Sequence, residues 1–414
     1  MEEIRRLTDK FTETWLQAND EATFLGDEIF LHEKKAKEEY VDSFLKSLKK
    51  LEGEWSVRYA ETNLLDEFVL SQLRELFQEA FSYKPEQINL MFSSEMMNST
   101  KTFLKQARKF DPSLSIQSVF QACRNVWIMN GLQLILGYPV ELTASIFAYS
   151  MLYPYTDNFV DDPMVSQIEK QAFSNRFAAR LAGGKVSAQS ETEEKIYQLV
   201  EMIESQFDRA RFPRVYQSLL GIHQAQTDSM QLLDTTSISA AQALRICIAK
   251  GGASVLADGY LIAGELNDEQ KDFLFAYGAY LQLLDDIQDV KEDLDDGLMT
   301  AFSLAVKKQK LDAMVFKTLN FGEQILTDSK CVLDRVELDF KGLLQQSILL
   351  FLIESVALDS LYYGKDLQLK LEKVSPLSFS FVRTKRNFFT PQKHLLLEKL
   401  ETLAFSPATE KMFS

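Results

Sequence analysis

The chain has 414 residues, 46% apolar and 25% charged, a globular balance that excludes a disordered or low-complexity protein. With only 16 Gly and 9 Pro, the scarcity of breakers argues for long helices and against a many-turned β fold. A formal net charge of −15 disfavours nucleic acid or anionic lipid as partner, although bound metal ions can invert the local field and admit an anionic substrate.

In chain order, the N-terminal residues MEEIRRLTDKF are charged from the second position, unlike a secretory signal. Residues 1–50 read as polar helix, and residues 51–110 carry further amphipathic segments. Asp111-Pro112-Ser113 is a break. A central apolar helix follows from Ser115 and is stopped by Gly137-Tyr138-Pro139; a second runs from Glu141 to Phe159. Gly183-Gly184-Lys185 is a loop. Helices are then predicted over Glu191–Phe207, Pro213–Leu233 and Ser239–Ala263, and Asn267 with Gln270 caps one that ends near Asp293. Asp295-Asp296-Gly297 is a turn, and residues 300–373 are helical again. No β alternation persists, so the expected fold is all-α, a single large helical bundle. Residues 1–110 form an N-terminal segment packing on a core of residues 111–414. Cys123, Cys247 and Cys331 are too widely spaced for a disulfide framework or a zinc site and fit a reducing, cytoplasmic compartment. No stretch reads as the ~18 apolar residues of a membrane span.

Two acidic motifs stand out. In Gln282-Leu283-Leu284-Asp285-Asp286-Ile287-Gln288-Asp289, Asp285 and Asp289 are i and i+4 and share one helix face after an aromatic, apolar run. In Tyr153-Pro154-Tyr155-Thr156-Asp157-Asn158-Phe159-Val160-Asp161, Asp157 and Asp161 have the same spacing at the end of a second apolar helix. Carboxylates crowded on one face repel unless a cation sits between them, and hard divalent metals with oxygen ligands answer that need. One such pair is most often a helix end meeting water; two of them point to clusters facing one cavity. The register of an EF-hand loop does not fit Asp289–Gly297. His32, His223 and His394 are isolated and support no histidine metal site or triad.

Leu281-Gln282-Leu283-Leu284-Asp285-Asp286-x-x-Asp289, closed by Asp296-Gly297, resembles the second aspartate-rich motif of trans-prenyl diphosphate synthases. Lys250-Gly251-Gly252 resembles the place of their diphosphate-binding lysine, and Gln226-x-Asp228 is similar to their Gln-x-x-Asp region with one residue fewer. Asp157-Asn158-x-x-Asp161 with Tyr155 resembles the first motif of large-terpene synthases of the tetraprenyl-β-curcumene synthase type, where Pro154 replaces a leading Asp. The resemblance to this class I isoprenoid synthase superfamily covers residues 115–305. It implies a bundle around a central apolar cavity, with several Mg2+ ions at its mouth holding the diphosphate of an allylic prenyl substrate. It leaves room for a homodimer.

On that resemblance Asp157, Asp161, Asp285 and Asp289 are the expected catalytic metal ligands, joined by Asp286, with Asn158 and Gln282 beside the substrate. Arg245 and Lys250 either contact diphosphate or snorkel to the surface. Tyr149 and Tyr153 either floor the pocket or are ordinary core aromatics. Gly251-Gly252 marks either a kink facing the substrate or close helix packing. Arg176 and Arg180 read as a solvated face rather than a phosphate site, and Arg383, Lys385 and Arg386 as a basic surface turn rather than a lid. Three functions follow: a terpene synthase cyclising or eliminating, a prenyl transferase condensing isopentenyl diphosphate with an allylic diphosphate, or a helical homologue without chemistry.

Overall fold

The computed structural model describes residues 2–21, 25–58, 64–161, 164–233, 238–328 and 334–385. Among them every regular element is helical and there is no strand. In chain order these are α1 (Glu2–Gln17), α2 (Leu31–Arg58), α3 (Leu64–Glu79), α4 (Pro85–Met91), α5 (Ser94–Phe110), α6 (Ile116–Leu136), α7 (Ala144–Asp161), α8 (Gln167–Leu181) and α9 (Glu191–Gln206). They continue with α10 (Pro213–Ser229), α11 (Ala240–Ala263), α12 (Asp268–Gln288), α13 (Val290–Asp296), α14 (Ala301–Val306), α15 (Asp312–Asp328), α16 (Asp334–Leu358) and α17 (Lys365–Val374).

Local chemistry sets the boundaries. Ser166, Ser190, Ser239, Asn267 and Thr300 each sit in extended backbone and accept a hydrogen bond from the amide three residues on. Asn267 and Gln270 close the expected capping box. Pro213 opens α10 at a position whose amide has no helical partner. Gly264 and Gly297 end α11 and α13 at φ 75°, a conformation that costs a side-chain-bearing residue strain.

The chain forms two compact units. One comprises Met1–Thr23 with Gln121–Asp334, the other Phe24–Phe120 with Arg335–Ser414. The division expected at residue 110 does not coincide with either unit boundary. The reason lies in α1. Its buried stripe of Ile4, Leu7, Phe11 and Trp15, spaced three or four residues apart, packs with α11, α12 and α15 of the first unit. Ile4 fills the space left by Gly221, Phe11 stacks on Phe275, and Trp15 Nε1 donates to Thr318 Oγ1 at 3.0 Å. Ion pairs rim this seat, including Lys10 with Asp272 at 2.6 Å and Lys271 with Glu3 at 3.3 Å.

In the second unit, Val41, Phe44, Leu45, Ala80 and Leu377 form a core cluster. Arg383 donates to the Ala357 carbonyl at 2.7 Å and Lys385 pairs with Asp42 at 2.5 Å, so both serve local packing. Arg386 and His394 lie outside the described residues.

The pairing that positions the site is α11 on α12, and glycines make it close. A Cβ at Gly251 would stand 2.4 Å from Gly278 O, and one at Gly278 would stand 2.2 Å from Gly251 O. A Cβ at Gly252 would meet the Phe275 ring at 2.5 Å. Of the two readings of Gly251-Gly252, close packing is the one observed. Among the described residues two helices, α11 and the Phe340–Leu358 part of α16, have the length and average apolarity of a membrane span, where the sequence led us to expect none. In α11 that average comes from Ala and Gly as well as Ile, Leu and Val, and the stretch is mostly buried inside its unit.

Candidate functional site

The acidic end of α12 does not stop at Asp289. That residue caps α12 and opens α13 with φ −94°, ψ 11°, yet the helical bonds run through the break. The Asp289 amide reaches the Asp285 carbonyl at 2.9 Å, and the Asp293 amide reaches the Asp289 carbonyl at 2.8 Å. Asp285, Asp289 and Asp293 therefore follow one another at four-residue intervals, with Asp286 one position off that line.

Their environment opposes ionisation. Asp286 is only 4% exposed. Its Oδ1 accepts from Gln282 Nε2 at 2.9 Å, while Oδ2 has no hydrogen-bond partner among the described residues. The Cys247 thiol, a weak donor, lies beside this carboxyl. Burial pushes the Asp286 carboxyl up to about 6, with Asp285 adding repulsion and Cys247 and Gln282 partly opposing the rise. Asp289 is pushed up to about 6 by burial, then by Asp285, Glu292 and Asp286. Asp293 is pushed up to about 7 by burial and by Asp286, despite a 3.2 Å hydrogen bond from Thr300 Oγ1. Asp285 is reached by solvent, yet enough protein crowds it that desolvation raises its carboxyl too, against the pull of Lys250 and Arg124.

Two cations stand near this cluster, Lys250 on α11 and Arg124 on α6, and neither makes an ion pair among the described residues. Arg245 behaves differently. It pairs with Asp9 of α1 on an exposed part of the unit, which corresponds to the surface alternative for this residue. Arg176 and Arg180 are not on a solvated face; they pair with Glu193 and Glu204 of α9. Gln282 points its amide at Asp286, so it orients that carboxyl. On α10, Asp228 is taken up by Gln224 Nε2 at 2.8 Å. His223 bonds to Ser174 between α10 and α8, and His32 stacks on Phe30.

The first motif occupies the last turn of α7. The backbones of Asp157, Asn158 and Asp161 continue the helix; their side chains lie outside the described residues. One turn earlier, Pro154 sits inside the helix and removes the amide that would bond the Ser150 carbonyl. Tyr153 is 43% exposed and Tyr149 half-buried, so Tyr153 is not an ordinary core aromatic. The α7 helix is tied to its neighbours at depth. Asn125 Nδ2 of α6 donates to Ser150 Oγ at 3.1 Å and to Asp258 Oδ1 of α11 at 3.5 Å, and Ser145 Oγ donates to the Leu261 carbonyl at 2.7 Å. Asp258 is 1% exposed, and burial pushes its carboxyl far above the usual range.

Asp293 and Arg124 escaped the sequence reading. The signal for Asp293 was its four-residue offset from Asp289, masked by the turn residues that follow. Nothing local marked Arg124.

The donor set suits a hard divalent cation. It is built of carboxylate oxygens with raised pKa values and includes one buried oxygen lacking a donor. Among the described residues no three His, Cys, Asp or Glu side chains already converge on a single ligating point. No protein-family model, no curated protein and no solved structure matches the chain.

Proposed function

We propose that this chain is a magnesium-dependent class I terpene synthase that ionises an allylic prenyl diphosphate and ends in cyclisation or elimination. The observation that carries this reading is the end of α12, where burial first and mutual repulsion second raise a cluster of carboxyls, beside a lysine that makes no ion pair among the described residues. Such an arrangement is unfavourable alone and becomes favourable once divalent cations and a polyanion are added. The resemblance of both aspartate motifs to those of class I isoprenoid synthases supports the same reading.

On this reading Asp285 and Asp289, with Asp157 and Asp161, would hold the magnesium ions, and Gln282 keeps Asp286 oriented behind them. Bound magnesium supplies charge neutralisation for the departing diphosphate. Lys250 contacts the diphosphate oxygens with a mobile point charge. Tyr153 and Tyr149, one and two turns before Asp157, would offer ring faces to the allylic cation.

The test is product analysis of the purified protein with Mg2+ and prenyl diphosphates of increasing length, each with and without isopentenyl diphosphate. A hydrocarbon or alcohol formed without isopentenyl diphosphate is the expected result. A longer diphosphate formed only in its presence would make the protein a chain-elongating transferase. No turnover and no magnesium-dependent pyrophosphate binding would return it to a helical protein without this chemistry.

A further inference from the structure

We propose that Phe11 of α1 is a positioning residue for this site, backing Phe275 into the notch at Gly252 and so fixing the stretch of α11 that carries Lys250. The part given to Lys250 rests on the reading of the site as one for magnesium and diphosphate.

Gly252 has no side chain, and the Phe275 ring of α12 fills the space. Three atoms of that ring lie 2.5, 2.6 and 2.7 Å from where a Cβ would stand. One residue earlier, Gly251 is pressed against Gly278 and against Gln282, whose own Cβ a Cβ at Gly251 would meet at 2.4 Å. Gln282 in turn donates its amide to Asp286. This contact patch therefore adjoins Lys250 on α11 and the acidic end on α12.

What keeps Phe275 in its notch comes from the other end of the chain. The Phe275 ring has no exposed surface, and it stacks on the buried Phe11 with centroids 6.0 Å apart and planes at 23°. Phe11 has little freedom to recede, because α1 is pinned on either side of it. Ile4 fills the space left by Gly221 of α10, and Trp15, one turn beyond Phe11, donates to Thr318 of α15. The middle of α1 thus presses on the one side chain wedged against Gly252. Packed interiors relax only partly around a deleted side chain, and a neighbour moves into the room that opens. Removing the Phe11 ring lets Phe275 leave the notch, and α11 loses its support two residues from Lys250.

Two measurements on the full-length protein test this. The first is a double-mutant cycle of Phe11→Ala and Gly252→Ala, read by denaturant midpoints. Gly252→Ala should lower the midpoint by forcing Phe275 against Phe11, and should lower it less when Phe11→Ala gives that ring room. Additive shifts would overturn the mechanical link. The second is titration calorimetry with inorganic pyrophosphate in saturating MgCl2, below the melting transition of each variant. Phe11→Ala should bind roughly three- to thirtyfold more weakly, the range for coupling through packed side chains. Phe11→Leu should recover part of the loss. Trp15→Phe, which gives up the Thr318 bond and leaves the Phe11–Phe275 stack in place, should melt lower yet bind like wild type. If Phe11→Ala does not fold, Phe11→Leu and Trp15→Phe make the same comparison. Wild-type affinity in the Phe11 variants would overturn the positioning role alone. Absence of magnesium-dependent binding in wild type would overturn the terpene synthase reading, and the positioning role with it.

Discussion

Two charged regions of the same unit make opposite use of the same side chains. Between α8, α9 and the loop before α10, Arg176 meets Glu193, and Arg180 and Arg209 both meet Glu204, each of the latter pairs at 2.7 Å. Arg209 also lies 3.8 Å over the Tyr216 ring and donates to the Leu181 carbonyl at the end of α8. Burial works to raise the Glu193 carboxyl, but Arg176 and the Gln189 amide hold it below the usual range. Arg180 does the same for Glu204. At the end of α12 the directions reverse: four carboxyls are raised, and Lys250 and Arg124 nearby make no ion pair among the described residues. Charge that is settled within the chain builds structure; charge left unsettled waits for a ligand. On the proposed reading this difference, rather than the density of charge, is what singles out the end of α12.

The sharpest way to break this contrast is to remove one carboxylate from each side. Asp285→Asn should lower turnover by a factor of about 10² to 10³ or more, the scale for loss of a group that stabilises transition-state charge, while a thermal melt shows an intact fold. Glu193→Ala should do the reverse: turnover per folded molecule is retained, and chemical denaturation records a loss of about 1.5–3 kcal/mol as the charged hydrogen bonds to Arg176 are lost. If Asp285→Asn unfolds the protein, the α12 cluster is structural and the contrast fails.

Next in size, Gly278→Ala should cost about 1–3 kcal/mol by overpacking, since the added carbon meets the backbone of Gly251. It should also weaken magnesium-dependent pyrophosphate binding, because it pushes apart the helices that carry Lys250 and Asp285. A stability loss with unchanged binding would detach the glycine seam from the site.

The two regions should also differ in the sign of their pH response. A carboxyl raised on folding contributes stability that is present in acid and lost as pH rises through its folded value. The α12 cluster should therefore make the metal-free protein less stable between pH 3.8, the ordinary Asp value, and about 7. Glu193 and Glu204, held low, contribute stability above their ordinary value of 4.5 that is lost as pH falls below it. Melting temperatures across pH should show the upper window flattened by Mg2+ and by Asp293→Asn, and the lower one untouched by either. The smallest effect belongs to Arg245→Ala, an exposed pair with Asp9 whose loss should cost less than about 1 kcal/mol in denaturant melts.

Much of this was legible in the chain itself. The Asn267 cap placed the start of α12, because capping is a local bond between a side chain and an amide three positions away, although the helix expected to run to about Asp293 breaks at Asp289. The shared face of Asp285 and Asp289 followed from helix geometry, whereas Lys250 was singled out only by the resemblance. What escaped reading depends on partners distant in sequence. Arg245 pairs with Asp9 across 236 residues, and no local pattern separates it from Lys250 five positions on. Asn125 reaches Asp258, 133 residues away, which no local pattern announces. The division into units was hidden for the same reason, since an amphipathic stripe shows that α1 has a partner without showing which.

That last feature has a cost in time. Lys10 and Trp15 find their partners on Asp272 and Thr318, 262 and 303 residues downstream. At a synthesis rate of about 5–20 residues per second, α1 leaves the ribosome roughly 15–60 s before its seat exists. Throughout that interval its stripe of Ile4, Leu7, Phe11 and Trp15 is bare, which makes the nascent chain, rather than the finished protein, the state most in need of a chaperone.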